Sequence, residues 1–193
     1  MVAQVKVLVK GYTSAGSKQS GKDKDVERTF ATITLVRDKN HIIVVDPGVL
    51  ADPQILVDAL KKEKLKPEDV NLVFLTHSHI DHYRNLGMFP KAKVLEYFGF
   101  WSGNTSEDWN ENLSEDARIM KTPGHDSTGL SLIVKTAKGT VVIAGDVFWK
   151  ENYPKKDPYA DNPKILAETR KKILKIADFI VPGHADIYKV KRK

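Results

Sequence analysis

Alternating apolar and polar positions over residues 2–9 predict a strand with one buried face. Residues 11–27 read as a long mobile loop, because Gly, Ser, Lys and Asp crowd out apolar side chains there. Two β-branched runs, residues 30–36 (FATITLV) and 41–45 (HIIVV), predict strands separated by a polar turn. Asp52-Pro53 opens a helix, with Asp as N-cap and Pro at the first helical position. The spacing of Ile55, Leu56, Ala59 and Leu60 puts them on its inner face, ahead of a lysine-rich end. Residues 70–75 (VNLVFL) and 93–97 predict two more short strands. Residues 98–113 interleave Phe98, Phe100, Trp101 and Trp109 with Gly, Asn and acids, which reads as a packed loop or a ligand-facing wall. Residues 130–135 and 140–144, joined around Lys138-Gly139, predict a hairpin. Asn162-Pro163 opens a second helix with Ile165, Leu166, Thr169, Ile173, Ile176 and Ala177 inward and Lys164, Glu168, Lys171 and Lys175 outward. Residues 179–181 end the series as a buried strand.

Strands in runs, with two helices that each have one apolar face, point to a mixed α/β (α+β) architecture. Two sheets packed together and covered outside by helices would satisfy it. At 193 residues, a single domain spanning 1–193 is expected.

Composition narrows the chemistry. There is no cysteine, which excludes disulfides, thiolate metal sites and cysteine nucleophiles. No apolar run approaches the roughly 20 residues of a membrane span, and the N-terminal segment lacks a signal-peptide cleavage site. The expectation is a cytoplasmic protein with no membrane partner. Lys and Arg number 31 against 25 Asp and Glu, a balance of +6. The excess sits in clusters at Lys61, Lys62, Lys64 and Lys66, at Arg170, Lys171, Lys172 and Lys175, and at Lys189, Lys191, Arg192 and Lys193. Such clusters read as solvated helix faces and a frayed tail, or as a surface that attracts a polyanion such as RNA. The sequence carries no signal for oligomeric state.

The histidines carry the functional signal. Thr76-His77-Ser78-His79-Ile80-Asp81-His82 directly follows the strand predicted to end at Leu75. With 6 His in this chain, the pattern H-x-H-x-D-H arises by chance in about one such chain in two thousand. Imidazole and carboxylate are the ligands of zinc and related metals. His77 and His79, two apart in an extended segment, project to one side, whereas Asp81 and His82 turn the other way as a short helix begins. One loop can thus serve two adjacent metals. Thr122-Pro123-Gly124-His125, Ala144-Gly145-Asp146 and Val181-Pro182-Gly183-His184 add three more donors, each preceded by a glycine that permits a tight turn.

The order H-x-H-x-D-H, a lone His, Gly-Asp and Gly-His resembles the metallo-β-lactamase superfamily, over about residues 2–184. The segments 85–90, 122–125, 141–148 and 180–184 look most like a small branch of it with a glyoxalase II-like metal site. The resemblance implies a four-layer αββα sandwich with two divalent metal ions at one sheet edge. Zinc suits the donors best, and iron and manganese occupy similar sets. Carried over by position, His77, His79 and His125 would hold one metal, Asp81, His82 and His184 the second, and Asp146 would bridge them. Asp81 and Asp146 are the candidate catalytic carboxylates. Asp46, in Val45-Asp46-Pro47-Gly48, matches a family turn motif and would orient a ligand histidine, or be a plain turn residue. His41 matches no family ligand and reads as structural. Arg84, where many relatives carry Gly, is an exposed residue or a cation beside the metals.

The implied reaction is hydrolysis. Two cations about 3.5–4 Å apart share a hydroxide, which attacks an electrophilic carbonyl or phosphorus. The branch resembled is associated with endoribonuclease activity, so a phosphodiester is the first reading and RNA the first partner. The alternative is a small ester, thioester or lactone, with weak β-lactamase activity at most, since cysteine is absent and Asp146 replaces the all-histidine pattern. Loops over residues 11–27, 98–113 and 148–163 would roof the site, with Arg84, Trp101, Trp149 and Tyr153 as candidate substrate-binding residues. A non-catalytic binding scaffold is a further alternative.

Overall fold

The computed structural model describes residues 2–15 and 26–191. A seven-stranded sheet is built from the first half of the chain and a five-stranded sheet from the second. The first runs in the order β1 (Gln4–Val9), β4 (Ile33–Asp38), β5 (His41–Val45), β6 (Leu72–Phe74), β7 (Lys93–Glu96), β8 (Gly99–Ser102) and β9 (Thr105–Glu107). The second runs β10 (Ala117–Lys121), β11 (Leu130–Thr136), β12 (Gly139–Gly145), β13 (Phe179–Pro182) and β14 (Tyr188–Lys189). A two-stranded ribbon, β2 (Tyr12–Thr13) with β3 (Thr29–Phe30), stands apart.

Facing side chains of the two sheets form the central core. Val36, Ile43, Val45, Phe74 and Leu95 of the first meet Ile119, Leu130, Leu132, Val134, Ile143 and Val181 of the second. The outer face of the first sheet packs through Val44 and Val73 against Leu56 and Leu60 of α1 (Gln54–Lys62). The outer face of the second packs through Val142 and Ile180 against Leu166 and Ile173 of α3 (Pro163–Ile176). The result is the expected four-layer αββα sandwich.

The second helix starts as the sequence indicates, whereas the first starts one residue later than read, at Gln54, with Pro53 rather than Asp52 in the cap position. Asp52 accepts a hydrogen bond from the Gln54 amide at 2.9 Å, and Asn162 caps α3 by accepting from the Lys164 and Ile165 amides. Two inward assignments fail. Ile55 is 50% exposed and Ile165 39% exposed. Each stands one residue before the buried i, i+4 stripe, Leu56/Leu60 and Leu166/Thr169/Ile173, and a 100° rotation carries it toward solvent.

Three other departures concern the sheets. The run FATITLV is split between β3 and β4, because the amides of Ala31 and Thr32 leave the ladder and donate to the carbonyls of Asp81 and Gly183. Residues 98–113 are not only loop: β8 and β9 extend the first sheet as an edge hairpin. Strands β10 and β14 went unread, the former because ARIMK has no clear alternation. Of the loop expected over residues 11–27, β2 occupies Tyr12–Thr13, and residues 16–25 lie outside the described residues. No helix among the described residues is long and apolar enough to cross a membrane.

Candidate metal centre

Strands β5, β6, β10, β12 and β13 all end at one edge of the sandwich, and the chemistry-bearing residues follow those ends. Asp46 follows β5, His77 and His79 follow β6, His125 follows β10, Asp146 follows β12 and His184 follows β13. The turns are sterically demanding. Gly145 has φ +50°, and a Cβ there would lie 2.4 Å from Thr76 Oγ1. Gly183 has ordinary φ, yet a Cβ on it would fall 1.8 Å from Asp146 Oδ1. The glycine before His184 therefore makes room for the carboxylate on the neighbouring strand.

Two donor groups result. His77, His79, His125 and Asp146 form one, and Asp81, His82 and His184 the other, with one donor atom from each residue within 4.8 Å of the rest of its group. In the first, His79 Nδ1 lies 3.0 Å from His77 Nε2 and 3.2 Å from His125 Nε2. Asp146 stands between the groups. Its Oδ2 is 3.5 Å from His125 Nε2 and 3.1 Å from His184 Nε2, and its Oδ1 is 3.4 Å from His82 Nε2. The short helix α2 (Ile80–Tyr83) turns Asp81 and His82 away from His77 and His79, as the spacing indicates.

The remaining ring nitrogens are held from behind. Asp46 has φ +50°, unusual for a non-glycine residue, and is buried. It accepts from the Thr76 amide at 2.8 Å and the Thr76 hydroxyl at 2.7 Å, and lies 2.8 Å from His82 Nδ1. With its proton committed to Asp46, the Thr76 hydroxyl accepts from His77 Nδ1 at 3.0 Å. One carboxylate thereby orients a histidine in each group. His184 Nδ1 donates to the Phe30 carbonyl at 3.0 Å, and His125 Nδ1 lies 2.7 Å from Asp157 Oδ2. All four Nε2 atoms point into the groups.

This donor set fits divalent cations. Among the described residues His82 Nε2 and Asp146 Oδ1 are buried and find no hydrogen-bond partner, an expensive arrangement unless another group occupies the space between donors. The electrostatics agree. Burial, then the neighbouring imidazole of His82, drives His77 well below the ordinary histidine value, which leaves it neutral and ready to ligate. At His82 burial acts the same way, but Asp146 and Asp46 outweigh it and raise the group well above its usual value. Burial likewise opposes the charge on Asp146, while His184 and His82 hold it well below the usual carboxylate range. The protein's own groups thus retain protons around Asp146 that a cation would displace, so loading releases protons.

A cleft of about 330 Å³ opens onto both groups. It is lined by His79, Asp81, His125, Asp146 and His184 at its base and by Thr13, Ala15, Glu27, Thr29, Trp149 and Tyr159 around them. Trp149 stacks on Tyr159 with centroids 5.9 Å apart and stands edge-on to His125 and His184. Tyr159 donates to Glu27 Oε2 at 2.7 Å across the cleft mouth. Of the four candidate substrate residues, Trp149 lines the cleft, and Tyr153 packs against it and donates to the Ala15 carbonyl. Arg84 and Trp101 are placed elsewhere. Arg84 caps α2 in solvent, and Trp101 lies on β8, next to the edge of the first sheet, with its indole donating to Glu96 at 2.7 Å. His41 sits at the far end of the sandwich, opposite Asp38 in the β4–β5 turn. Sequence reasoning missed Thr76, Asp157 and Glu27, which belong to no motif. A Thr before the first histidine was visible, but its role depends on where Asp46 folds.

An αββα sandwich with two adjoining His/Asp donor groups at the ends of its strands defines a metal-dependent hydrolase. The family model of the metallo-beta-lactamase superfamily matches residues 26–102. A Xenopus laevis metallo-beta-lactamase domain-containing protein 1 is 32% identical, covering 96% of this chain and 81% of its own. A probable metallo-hydrolase from Methanocaldococcus jannaschii is 32% identical over 77% of this chain and 74% of its own. Among solved structures, a Thermotoga maritima protein described as a putative metallo-beta-lactamase superposes with a TM-score of 0.74 at 22% identity, covering 98% of this chain and all of that one. The chain belongs to the metallo-beta-lactamase superfamily.

Proposed function

We propose that this chain hydrolyses a compact, uncharged acyl substrate, a lactone, ester or thioester, with two divalent cations, zinc foremost, as cofactors. His77, His79, His125 and Asp146 would hold one cation and Asp81, His82 and His184 the other, with Asp146 shared. When bound, the pair supplies Lewis acidity and a water ionised near neutral pH. The protein's own groups do the rest. Asp46 and Thr76 fix the imidazoles, which keeps the donors in one geometry through turnover. Trp149 and Tyr159 form an apolar wall that excludes water beside the reacting carbonyl. Asp81, whose Oδ2 receives the Thr29 hydroxyl at 3.1 Å, faces the cleft, where its carboxylate could take a proton from the attacking water and return it to the leaving oxygen.

The observation that carries this reading is the lining of the cleft. Among the described residues it holds aromatic rings and the carboxylates Glu27 and Asp81, but no Lys or Arg. At the mouth a polyanion would meet Glu27 with no lysine or arginine of the cleft lining beside it, whereas a neutral carbonyl compound would not be repelled. Lys61 and Lys62 end α1, and Lys175 ends α3, beside the sheet edge opposite the site. A Bacillus cereus N-acyl homoserine lactonase, 27% identical over 66% of this chain and 62% of its own, also supports a lactone.

Metal-stripped protein reloaded with zinc should turn over a lactone, ester or thioester with little salt dependence, and His79→Ala should abolish that activity. Cleavage of single-stranded RNA, with binding that falls steeply as salt rises, and no turnover of acyl compounds would replace this reading with the phosphodiester one. A metal-loaded protein inert toward all of these would favour the scaffold.

A further inference from the structure

We infer that Asp157 is a positioning residue for the first donor group, and that it joins His125 to the wall of the cleft. Its side chain is fully buried, in the segment Lys155-Lys156-Asp157-Pro158 that crosses over the site between β12 and α3. One carboxylate oxygen lies 2.7 Å from His125 Nδ1, and the other accepts the Tyr159 amide at 2.9 Å. Among the described residues its ion-pair partner is His125. A carboxylate that served only the local turn to Tyr159 could do so from the surface. Burying it beside an imidazole is costly unless that imidazole returns the interaction.

The contact has two consequences. By accepting from Nδ1, Asp157 fixes the His125 tautomer with its Nε2 lone pair toward His79 and Asp146. By accepting from the Tyr159 backbone as well, it connects that ring to the residue whose side chain stacks on Trp149 and donates to Glu27. The same covering segment is anchored around His125 by two further bonds: the Asp161 amide donates to the His125 carbonyl at 3.0 Å, and the Asn162 amide to that of Gly124 at 2.9 Å. Filling the first donor group and fixing the aromatic wall are therefore one event. The second group meets the wall through backbone alone, the His184 amide donating to the Trp149 carbonyl at 2.8 Å, while its rings are held elsewhere, His184 by the Phe30 carbonyl and His82 by Asp46.

The inference rests on the two-cation reading, and its test separates the two. Metal-free wild type, Asp157→Asn and His79→Ala are titrated with Co²⁺ and followed by absorption, His79→Ala identifying the step that belongs to the first group. Asp157→Asn is expected to weaken that step about 10–100-fold and leave the other unchanged. Hydrogen exchange at residues 149–159 should slow on metal addition in wild type but not in Asp157→Asn. Equal affinities in wild type and variant, or equal loss at both steps, overturns the positioning role, whereas no uptake by wild type overturns the metal reading itself. Should Asp157→Asn fail to fold, ¹⁵N spectra of metal-free wild type decide the matter. A His125 ring protonated at Nδ1 supports the inference, and one protonated only at Nε2 overturns it.

Discussion

Replacing Gly183 with alanine tests whether Asp146 is the hinge of the site. The backbone at Gly183 is compatible with an L side chain, so the added methyl brings no strain of its own. It would, however, lie 1.8 Å from Asp146 Oδ1, where ordinary contact begins at 3.4 Å. The carboxylate must retreat by roughly 1.5 Å or the strand end must shift, an overpacking worth about 1–3 kcal/mol of stability. A displacement of that size withdraws Asp146 from His82 and His184, which now lie 3.4 Å and 3.1 Å away. Misplacement by about 1 Å near reacting atoms costs on the order of 100-fold in rate. Gly183→Ala should therefore keep native far-ultraviolet dichroism and a cooperative melt, lose one metal equivalent on dialysis, and drop kcat/KM by about 100-fold. A variant that keeps two metals per chain and wild-type kcat/KM would refute the placement of Asp146 between the donor groups.

Asp46→Asn should weaken uptake of both metal equivalents by about 10–100-fold, because its carboxylate serves His82 directly and His77 through Thr76; calorimetric titration with Zn²⁺ reads both steps, and a loss confined to one would contradict the relay. Trp149→Ala should lower kcat/KM for an acyl substrate by roughly tenfold, about 1.4 kcal/mol, whereas Trp101→Phe, on β8 away from the cleft, should stay within twofold. Leu60→Ala, which empties a fully buried position between α1 and the first sheet, should cost about 2–5 kcal/mol in urea unfolding and leave metal stoichiometry intact.

Strands β5, β6, β12 and β13 were legible because they are apolar runs rich in β-branched residues with a donor within a few positions of their ends, whereas β10, which leads to His125, was not. Val70–Leu75 into His77 is the clearest instance. The helices were legible from Asp52-Pro53 and Asn162-Pro163, although only Asn162 serves as the cap. What escaped the sequence depends on partners distant along the chain. Nothing in FATITLV announces that Ala31 and Thr32 will spend their amides on Asp81 and Gly183, since the carbonyls that draw them out of the ladder lie 50 and 151 positions away. Asp157 looks like a solvated acid among lysines until α3 docks and buries it against His125. Arg84 and Trp101 drew attention by residue type, and only the directions of α2 and β8 reveal that they face away.

The division of the sheets between the two halves of the chain has a bearing on assembly. Apart from the β2–β3 ribbon, the strands up to Glu107 belong to one sheet, and those from Ala117 onward to the other. His77, His79, Asp81 and His82 come from the first half, and His125, Asp146 and His184 from the second. Neither half owns a complete coordination set, so each cation would act as a rivet between them, adding its binding energy to the seam rather than to either piece. A backbone nick in the exposed stretch near residue 110 should consequently yield fragments whose reunion depends on the supply of metal.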